Sequence, residues 1–437
     1  MSVLDTGRRE AVRANAHLDP ELWPDIATLP TSNTRARIAR TLFERVVRTL
    51  PLHVLLPDGR VLGAGGLTGP VLKLRRPEAF YLRIGASGLV GFGEAFMAGD
   101  WESDDLAGVL TIFAGRVGEL VPPSLQRLRD VALLRHPTGD SQAKHNQKRN
   151  IERHYDLSNE LFSLFLDRSL SYSSALFPAE QSLRPHGTWD QLEAAQHRKI
   201  DRLLDAAGVT EGTTVLEIGT GWGELALRAA SRGAKVLSVT LSEEQRVLAI
   251  QRVADAGLSH LVTIELCDYR DIRGTFDVVL SVEMIEAVGY KYWPEYFATL
   301  DRRLNPGGRV GLQAITMPHD RMVASRDTYT WIHKYIFPGG LIPSVTAIEQ
   351  AVFQHTSLKV VDDFAFGQHY AETLRLWRAR FEARGPEVAA LGFDETFRKM
   401  WSLYLGYSEA GFSSGYLDVH QLVLEKPSAP TLASGGC

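Results

Sequence analysis

Cysteine is nearly missing from this chain: there are two in 437 residues, Cys267 and Cys437. So sparse a supply excludes a disulfide framework and suits a reducing compartment. Long apolar runs are missing as well. None approaches the ~20 residues that a membrane-spanning helix needs, and the opening stretch MSVLDTGRREAVRANAHLD has no signal-peptide apolar core. The expectation is a soluble protein that can lie on a membrane but not cross it. Strong charge of either sign is also absent. A net charge of −4 gives no global pull toward nucleic acid. What is there is ordinary for a globular protein, 44% hydrophobic and 23% charged, and 437 residues suggest two domains.

Residues 1–30 are polar and Pro-containing and read as a flexible leader. SNTRARIARTLFERVVRTLPL (32–52) predicts a helix, capped by Ser32 or Asn33, with Ile38, Leu42, Val46 and Leu50 as its apolar stripe. Arg35, Arg37, Arg40, Arg45 and Arg48 stand against one acid, Glu44. Such a helix either lies on anionic lipid or packs on its own domain with a solvated basic face. HVLLPDGRVLGAGG, PVLKLRR and AFYLRIG read as short strands, with PDG as a hairpin signal. GLVGFGEAFMAGDWESDDLAGVLTIF reads as a Gly-rich turn leading into a helix. These segments make residues 31–135 a smaller α+β domain. The polar, basic stretch at 136–150 is the expected linker, and 427–437 a disordered tail.

From about residue 200, helices alternate with apolar strands. KIDRLLDAAG ends at Gly208, TTVLEIG is a strand, and GELALRAASRG closes at Gly233. AKVLSVTL is a strand, EEQRVLAIQRVADAG a helix, LVTIELCDY and FDVVLSVEM two further strands, PEYFATLDRRLNPGG a helix and RVGLQAIT a strand. Alternation of this kind predicts an α/β domain (151–426) with a mostly parallel sheet covered on both faces.

VLEIGTGWGEL (215–225) follows a strand and opens a helix. Glycines here let the backbone approach a ligand, and the helix N-terminus favours a carboxylate or phosphate. The pattern Glu217, Gly219, Thr220, Gly221, Trp222, Gly223 differs from the dinucleotide G-x-G-x-x-G. It resembles the S-adenosylmethionine site of class I methyltransferases, a Rossmann-like fold with seven strands. The second strand ends VTLSEEQ, where Thr240 and Gln245 can hold ribose hydroxyls, Glu243 and Glu244 being weaker candidates. The third ends CDYRD. Asp268 is placed either to accept from an adenine amino group, with Tyr269 beside the ring, or to cap its own turn.

The fourth strand runs into SVEMIEAVG, with Glu283 and Glu286 and no cationic side chain before Lys291. Two carboxylates at the end of an apolar strand need a positive partner, water or a proton. The segment has neither a D/N-P-P-Y loop nor a nearby nucleophilic Cys, which argues against a nucleic-acid acceptor.

HYDLSNELFSLFLDRSLSYSSALF (154–177), SVEMIEAVGYKYWPEYF, WIHKYIFPGG (331–340), HYAETLRLW (369–377) and MWSLYLGYSEAGFSSGYLDV (400–419) together resemble the cyclopropane-fatty-acid synthase family. The resemblance runs from about residue 85 to 424. It is strongest to the actinobacterial branch making the methylene precursor of tuberculostearic acid from oleoyl phospholipid. It implies that a cis alkene takes a methyl from S-adenosylmethionine, that a carbocation forms, and that proton loss gives a ring or, after a hydride shift, an exocyclic methylene. It implies a helix over the cofactor beginning at Asp156 or Ser158, and an acyl tunnel lined by the aromatic segments. It assigns Tyr172 and Ser173 to the cofactor. It assigns a bicarbonate site to Ser174, Glu286, Gln313, Ile315 and Tyr370. The family's Cys and His are Ser174 and Gln313 here, which removes two of the expected bicarbonate ligands. Glu283 stands where ring-forming members usually have Gly. It can replace the anion, act as base, steer the shifted cation, or merely cap a helix or pair with a lysine.

The expected partners are an anionic phospholipid bilayer at the inner face of the membrane, met by Arg35–Arg48 and Lys144–Arg153, a downstream reductase and a second copy of the chain. No nucleic acid and no metal are expected. The alternatives are cyclopropane formation at the same bond, a small-molecule methyltransferase, and a lipid-binding homologue without catalysis.

Overall fold

The computed structural model describes residues 18–116, 158–178, 186–326 and 328–428. The expected linker, the basic stretch Lys144–Arg153, Asp156 and Cys437 lie outside these residues. Two compact units are present.

The first unit carries a four-stranded sheet in the order β2-β1-β3-β4, formed by β1 (His53–Leu55), β2 (Val61–Leu62), β3 (Val71–Leu74) and β4 (Trp101–Glu102). The PDG turn joins β1 to antiparallel β2, with Gly59 at φ 84°. Three expectations are corrected in this unit. AFYLRIG is not a strand but part of the Pro77–Ser87 helix. Pro77 at the first position and Glu78 in the first turn start it. Gly85 then lets it cross the Asn33–Val47 helix closely, since a Cβ there would lie 2.7 Å from the Arg35 carbonyl carbon. The stripe of the Asn33–Val47 helix is rotated from the expected one. Ala39 and Val47 are buried, Phe43 packs on Phe80 and Tyr81, and Ile38 is 55% exposed. The stretch GLVGFGEAFM is helical (Leu89–Met97), not a turn, because Gly93 packs against the Trp331 ring.

Where it is described, from residue 18 on, the leader is mostly exposed and is anchored by burial at one residue. Ile26 is fully buried, and Arg83 donates to the carbonyl oxygens of Asp25 and Ile26. The first unit is also discontinuous. Tyr329–Tyr335 and Phe381–Ala410, which the sequence reading puts in the large domain, belong to it. Lys334 donates to Glu94 (2.6 Å) and the Trp23 indole to Asp394 (2.7 Å).

The second unit holds a seven-stranded sheet in the order β10-β11-β9-β8-β5-β6-β7. Its strands are β5 (Thr214–Ile218), β6 (Lys235–Thr240), β7 (Val262–Leu266), β8 (Phe276–Val282), β9 (Leu304–Thr316), β10 (Lys359–Ala365) and β11 (Asp418–Glu425). β7, β6, β5, β8 and β9 are parallel, and β11 runs antiparallel between β9 and β10. Helices Trp189–Ala207, Glu224–Ser231 and Glu243–Asp255 bury Leu203, Ala226 and Ala249 with Val215, Val236 and Leu280 of the sheet. Trp293–Arg303 and Val345–His355 bury Phe297, Leu300 and Ile348 with Leu216, Val279, Leu312 and Leu422. The chain order reverses between β5 and β8, and a crevice opens there at the carboxyl ends of the strands, the usual ligand position in open α/β sheets.

Candidate active site

A cavity of about 180 Å³ lies at this reversal. The loop after β5 forms its floor. Gly219 and Gly221 have φ of 96° and 52°, a region that side chains other than glycine seldom adopt, and both line the cavity. Tyr172, Ser173, Glu217, Thr220, Trp222, Thr240, Gln245 and Tyr269 line it too. Two expected cofactor residues do not. Gly223 starts the Glu224–Ser231 helix, and a Cβ on it would lie 3.0 Å from Ala249 Cβ. Asp268 turns onto its own 3₁₀ turn, accepting from the Arg270 backbone N–H (2.9 Å) and the Arg270 guanidinium (2.6 and 2.8 Å). Of the two roles the sequence left open for Asp268, the geometry has the cap.

Thr240 donates to Gln245 Oε1 (3.0 Å), which holds both at the cavity wall. The Asn159–Phe165 helix begins at Ser158, whose hydroxyl accepts from Leu161 N–H. The Trp222 indole ties that helix to the glycine loop by donating to Asn159 Oδ1 (2.7 Å). Phe162 packs on Trp222 and Tyr172, and Tyr172 on Trp377, which makes an aromatic wall. These surroundings fit S-adenosylmethionine: glycine backbone for close approach, hydroxyl and amide groups for a ribose, and aromatic faces beside a cation.

The six expected catalytic positions come together beside this cavity. Glu283 follows β8 with φ 50°, a left-handed conformation that costs a non-glycine residue about 1 kcal/mol or more. Its Oε1 accepts from Ser174 N–H (3.1 Å) and Gln313 Nε2 (2.8 Å), and its Oε2 from the Tyr370 hydroxyl (2.6 Å). Burial pushes Glu283 up from the ordinary carboxylate range, opposed by the Tyr370 hydroxyl, the Lys199 charge and the other two donors. Glu286 sits in the short Ile285–Val288 helix. Its Oε1 accepts from Ile315 N–H (2.5 Å), while its buried Oε2 has no hydrogen-bond partner among the described residues. Burial first, and the Glu283 charge second, push Glu286 up to about 8. Two neighbouring carboxylates therefore differ: one is clamped by three donors, the other has an open oxygen and takes a proton readily.

The donors that the family resemblance assigns to bicarbonate are already engaged by these two side chains. Ser174, Gln313 and Tyr370 serve Glu283, and Ile315 serves Glu286. The residues present do not fit a separate anion at that place.

Sequence reasoning missed Lys199 and Gln196. Both lie on the buried face of the Trp189–Ala207 helix, among Leu192, Ala195 and Leu203. Gln196 donates to the carbonyls of Ser171 and Ser173, and Lys199 to Ser173 Oγ (2.6 Å), so this helix holds the Tyr172–Ser174 segment. Burial lowers Lys199 to about 8 against the pull of Glu283 and other acids. Glu217 is likewise pushed up to about 8 by burial, although Ser238 donates to it at 2.5 Å. The legible signal was polar residues at core positions of an amphipathic helix.

The profile of the mycolic acid cyclopropane synthetase family matches residues 142–422. The chain belongs to that family. Among the relatives of this family member is the tuberculostearic acid methyltransferase UfaA1 of Mycobacterium tuberculosis (strain ATCC 25618 / H37Rv). It is 54% identical over 419 residues, covering 95% of this chain and 98% of the relative. The cyclopropane-fatty-acyl-phospholipid synthase of Escherichia coli (strain K12) is 35% identical, covering 81% and 87%. The solved cyclopropane synthase MmaA2 from Mycobacterium tuberculosis matches at a TM-score of 0.57 and 29% identity, over 64% of this chain and 98% of that one. The mycolic acid cyclopropane synthase CmaA1, solved with SAH and CTAB, matches equally well. This family member is an S-adenosylmethionine-dependent methyltransferase with the class I fold.

Proposed function

We propose that this chain methylates the cis double bond of an unsaturated phospholipid acyl chain, oleoyl being the expected one, through a carbocation, and leaves a methylene-branched chain. The observation that carries the reading is the unequal carboxylate pair Glu283 and Glu286 beside the cofactor cavity. The name of the 54% identical relative, tuberculostearic acid methyltransferase, supports the same substrate class.

Gly219, Gly221, Thr240, Gln245, Tyr172, Ser173 and Trp222 would hold S-adenosylmethionine. When bound, it supplies an electrophilic methyl group. The alkene spends its π electrons on the new carbon–carbon bond, so the acyl chain carries the positive charge. Glu283 is the standing negative charge for that cation. Its three donors favour the ionised form against the effect of burial and hold it already in place, the arrangement that gives electrostatic catalysis its largest effect. After a hydride shift, the added carbon loses a proton to the open Oε2 of Glu286, and the C–H electrons become the exocyclic double bond. Glu283 thus stands in for the bicarbonate that the family resemblance suggests.

The reading extends to a peripheral enzyme on the inner, anionic face of a membrane. Arg35, Arg37, Arg45 and Arg48 are exposed on one helix together with Ile38, a pattern suited to lipid headgroups. Among the described residues no helix is long and apolar enough to cross a membrane. A reductase acting on the product and a second copy of the chain remain the expected partners.

The test is incubation with dioleoyl phosphatidylglycerol vesicles and S-adenosylmethionine bearing a fully deuterated methyl. Gas chromatography–mass spectrometry should show a 10-methylene chain retaining two deuterons. A cyclopropane product overturns the branch assignment. No lipid product at all overturns the substrate class.

A further inference from the structure

Behind Glu283 lies a chain of polar groups, running inward from Arg202 through two buried amides, that the reaction itself does not explain. Strands β9 and β11 pair Gln313 directly with Gln421, and both side chains are fully buried. Gln421 Nε2 donates to Gln313 Oε1 (3.0 Å) and to the Lys199 carbonyl (3.0 Å). Its Oε1 accepts from Arg202 Nη1 (2.8 Å). Arg202 is itself fixed, with Nη2 on Asp362 (3.0 Å) and its guanidinium 3.9 Å from the Phe364 ring centre.

An amide side chain has two ends of almost equal shape, one donor and one acceptor, so its direction must be set by its neighbours. Arginine has only donors. Gln421 must therefore turn its oxygen to Arg202, which leaves its NH₂ for the Lys199 carbonyl and for Gln313. Gln313 must then turn its oxygen to Gln421, which leaves its NH₂ for Glu283. Reversing either amide sets donor against donor at one end and acceptor against acceptor at the other. Each polarised amide also strengthens the next in a low-dielectric interior.

We propose that Arg202 and Gln421 are positioning residues for Glu283: the guanidinium sets the direction of a two-amide relay whose last N–H falls on the carboxylate. This rests on the reading of Glu283 as the standing negative charge. The other titratable groups near Glu283 are Lys199, Tyr370 and Glu286, and they are unchanged in the variants below.

The experiment is a carbon-13 NMR titration of the full chain labelled at the glutamate side-chain carboxyl. The Glu283 signal is assigned by its loss in Glu283→Gln. Arg202→Met and Gln421→Glu should raise the Glu283 midpoint by about one unit and lower turnover at pH 7 about 10-fold. Gln421→Glu pairs with Arg202 through either oxygen and forces Gln313 to present its own oxygen to Glu283. Arg202→Lys, which keeps the donor and the charge, should restore the parent midpoint. S-adenosylmethionine affinity by calorimetry should stay within about 2-fold, since neither residue lines the cavity. An unchanged Glu283 midpoint in both variants overturns the relay. A shifted midpoint with unchanged turnover upholds the relay and overturns the part given to Glu283 in the reaction. If Arg202→Met does not fold, Gln421→Glu, nearly isosteric and still paired with Arg202, carries the test alone.

Discussion

Replacing Glu283 by Gln removes one charge and little volume, and two consequences can be worked out. The first concerns rate. A unit charge ~4 Å from a carbocation, at an effective dielectric of ~20, contributes about 4 kcal/mol. At about 1.4 kcal/mol per decade, turnover should fall ~10²–10³-fold, with the amide dipole recovering part of the loss. The second concerns pH. The Glu283 charge is the second cause, after burial, of the rise of Glu286 to about 8. As proton acceptor, Glu286 must be ionised, so parent activity should climb as pH rises through about 8. With the neighbouring charge gone, that acid limb should move to lower pH. The assay is kcat against pH, from about 6 to about 9.5 to bracket that midpoint, on dioleoyl vesicles, with cofactor affinity followed by calorimetry. Turnover within about 5-fold of the parent, with the limb in its original place, would refute both the electrostatic part of Glu283 and its coupling to Glu286.

Other outcomes follow from the same geometry. Tyr370→Phe removes a 2.6 Å bond to Glu283, so turnover should fall about 10- to 100-fold, matching the ~1.5–3 kcal/mol of a charge-assisted hydrogen bond, with cofactor affinity retained. Glu286→Gln should abolish most turnover yet stabilise the protein at alkaline pH. The folded-state pKa is raised, so the native state holds a proton that the unfolded state has lost between about pH 4.5 and 8, and stability falls across that window. The variant should therefore gain melting temperature over the parent at about pH 9 and little at about pH 4. Gly219→Val sets a branched side chain at φ 96° and should weaken S-adenosylmethionine binding by about 10-fold or more in calorimetry. Changing Arg35, Arg37, Arg45 and Arg48 to Ser together should release the protein from anionic vesicles in a sedimentation assay, at about 1 kcal/mol per charge, without altering its melting temperature.

The α/β half was legible because its signals are local and mutually consistent. TTVLEIG, AKVLSVTL and FDVVLSV are apolar runs long enough only for strands, and Gly208 and Gly233 close the helices where expected. Gly219, Gly221 and the two glutamates could be found for the same reason, as each sits where a strand ends. AFYLRIG misled because its aromatic and branched residues favour a strand, while Pro77 and the close crossing at Gly85 decide for a helix. Ile38 misled because four apolar residues at helical spacing do not say which flank meets the core. What Lys199, Gln196 and Gln421 bind was out of reach for another reason. Their partners lie between 23 and 222 residues away along the chain, and no spacing rule links them.

The three-part make-up of the first unit has a consequence for chain integrity. A cut engineered between residues 117 and 157 would sever the backbone, yet Lys334 would still grip Glu94, Trp23 would still reach Asp394, and Trp331 would still lie on Gly93. The two fragments should travel as a single species through a sizing column. Nicking is thus a poor way to amputate the N-terminal portion, and a proteolysed preparation would pass for an intact one until it met detergent on a gel.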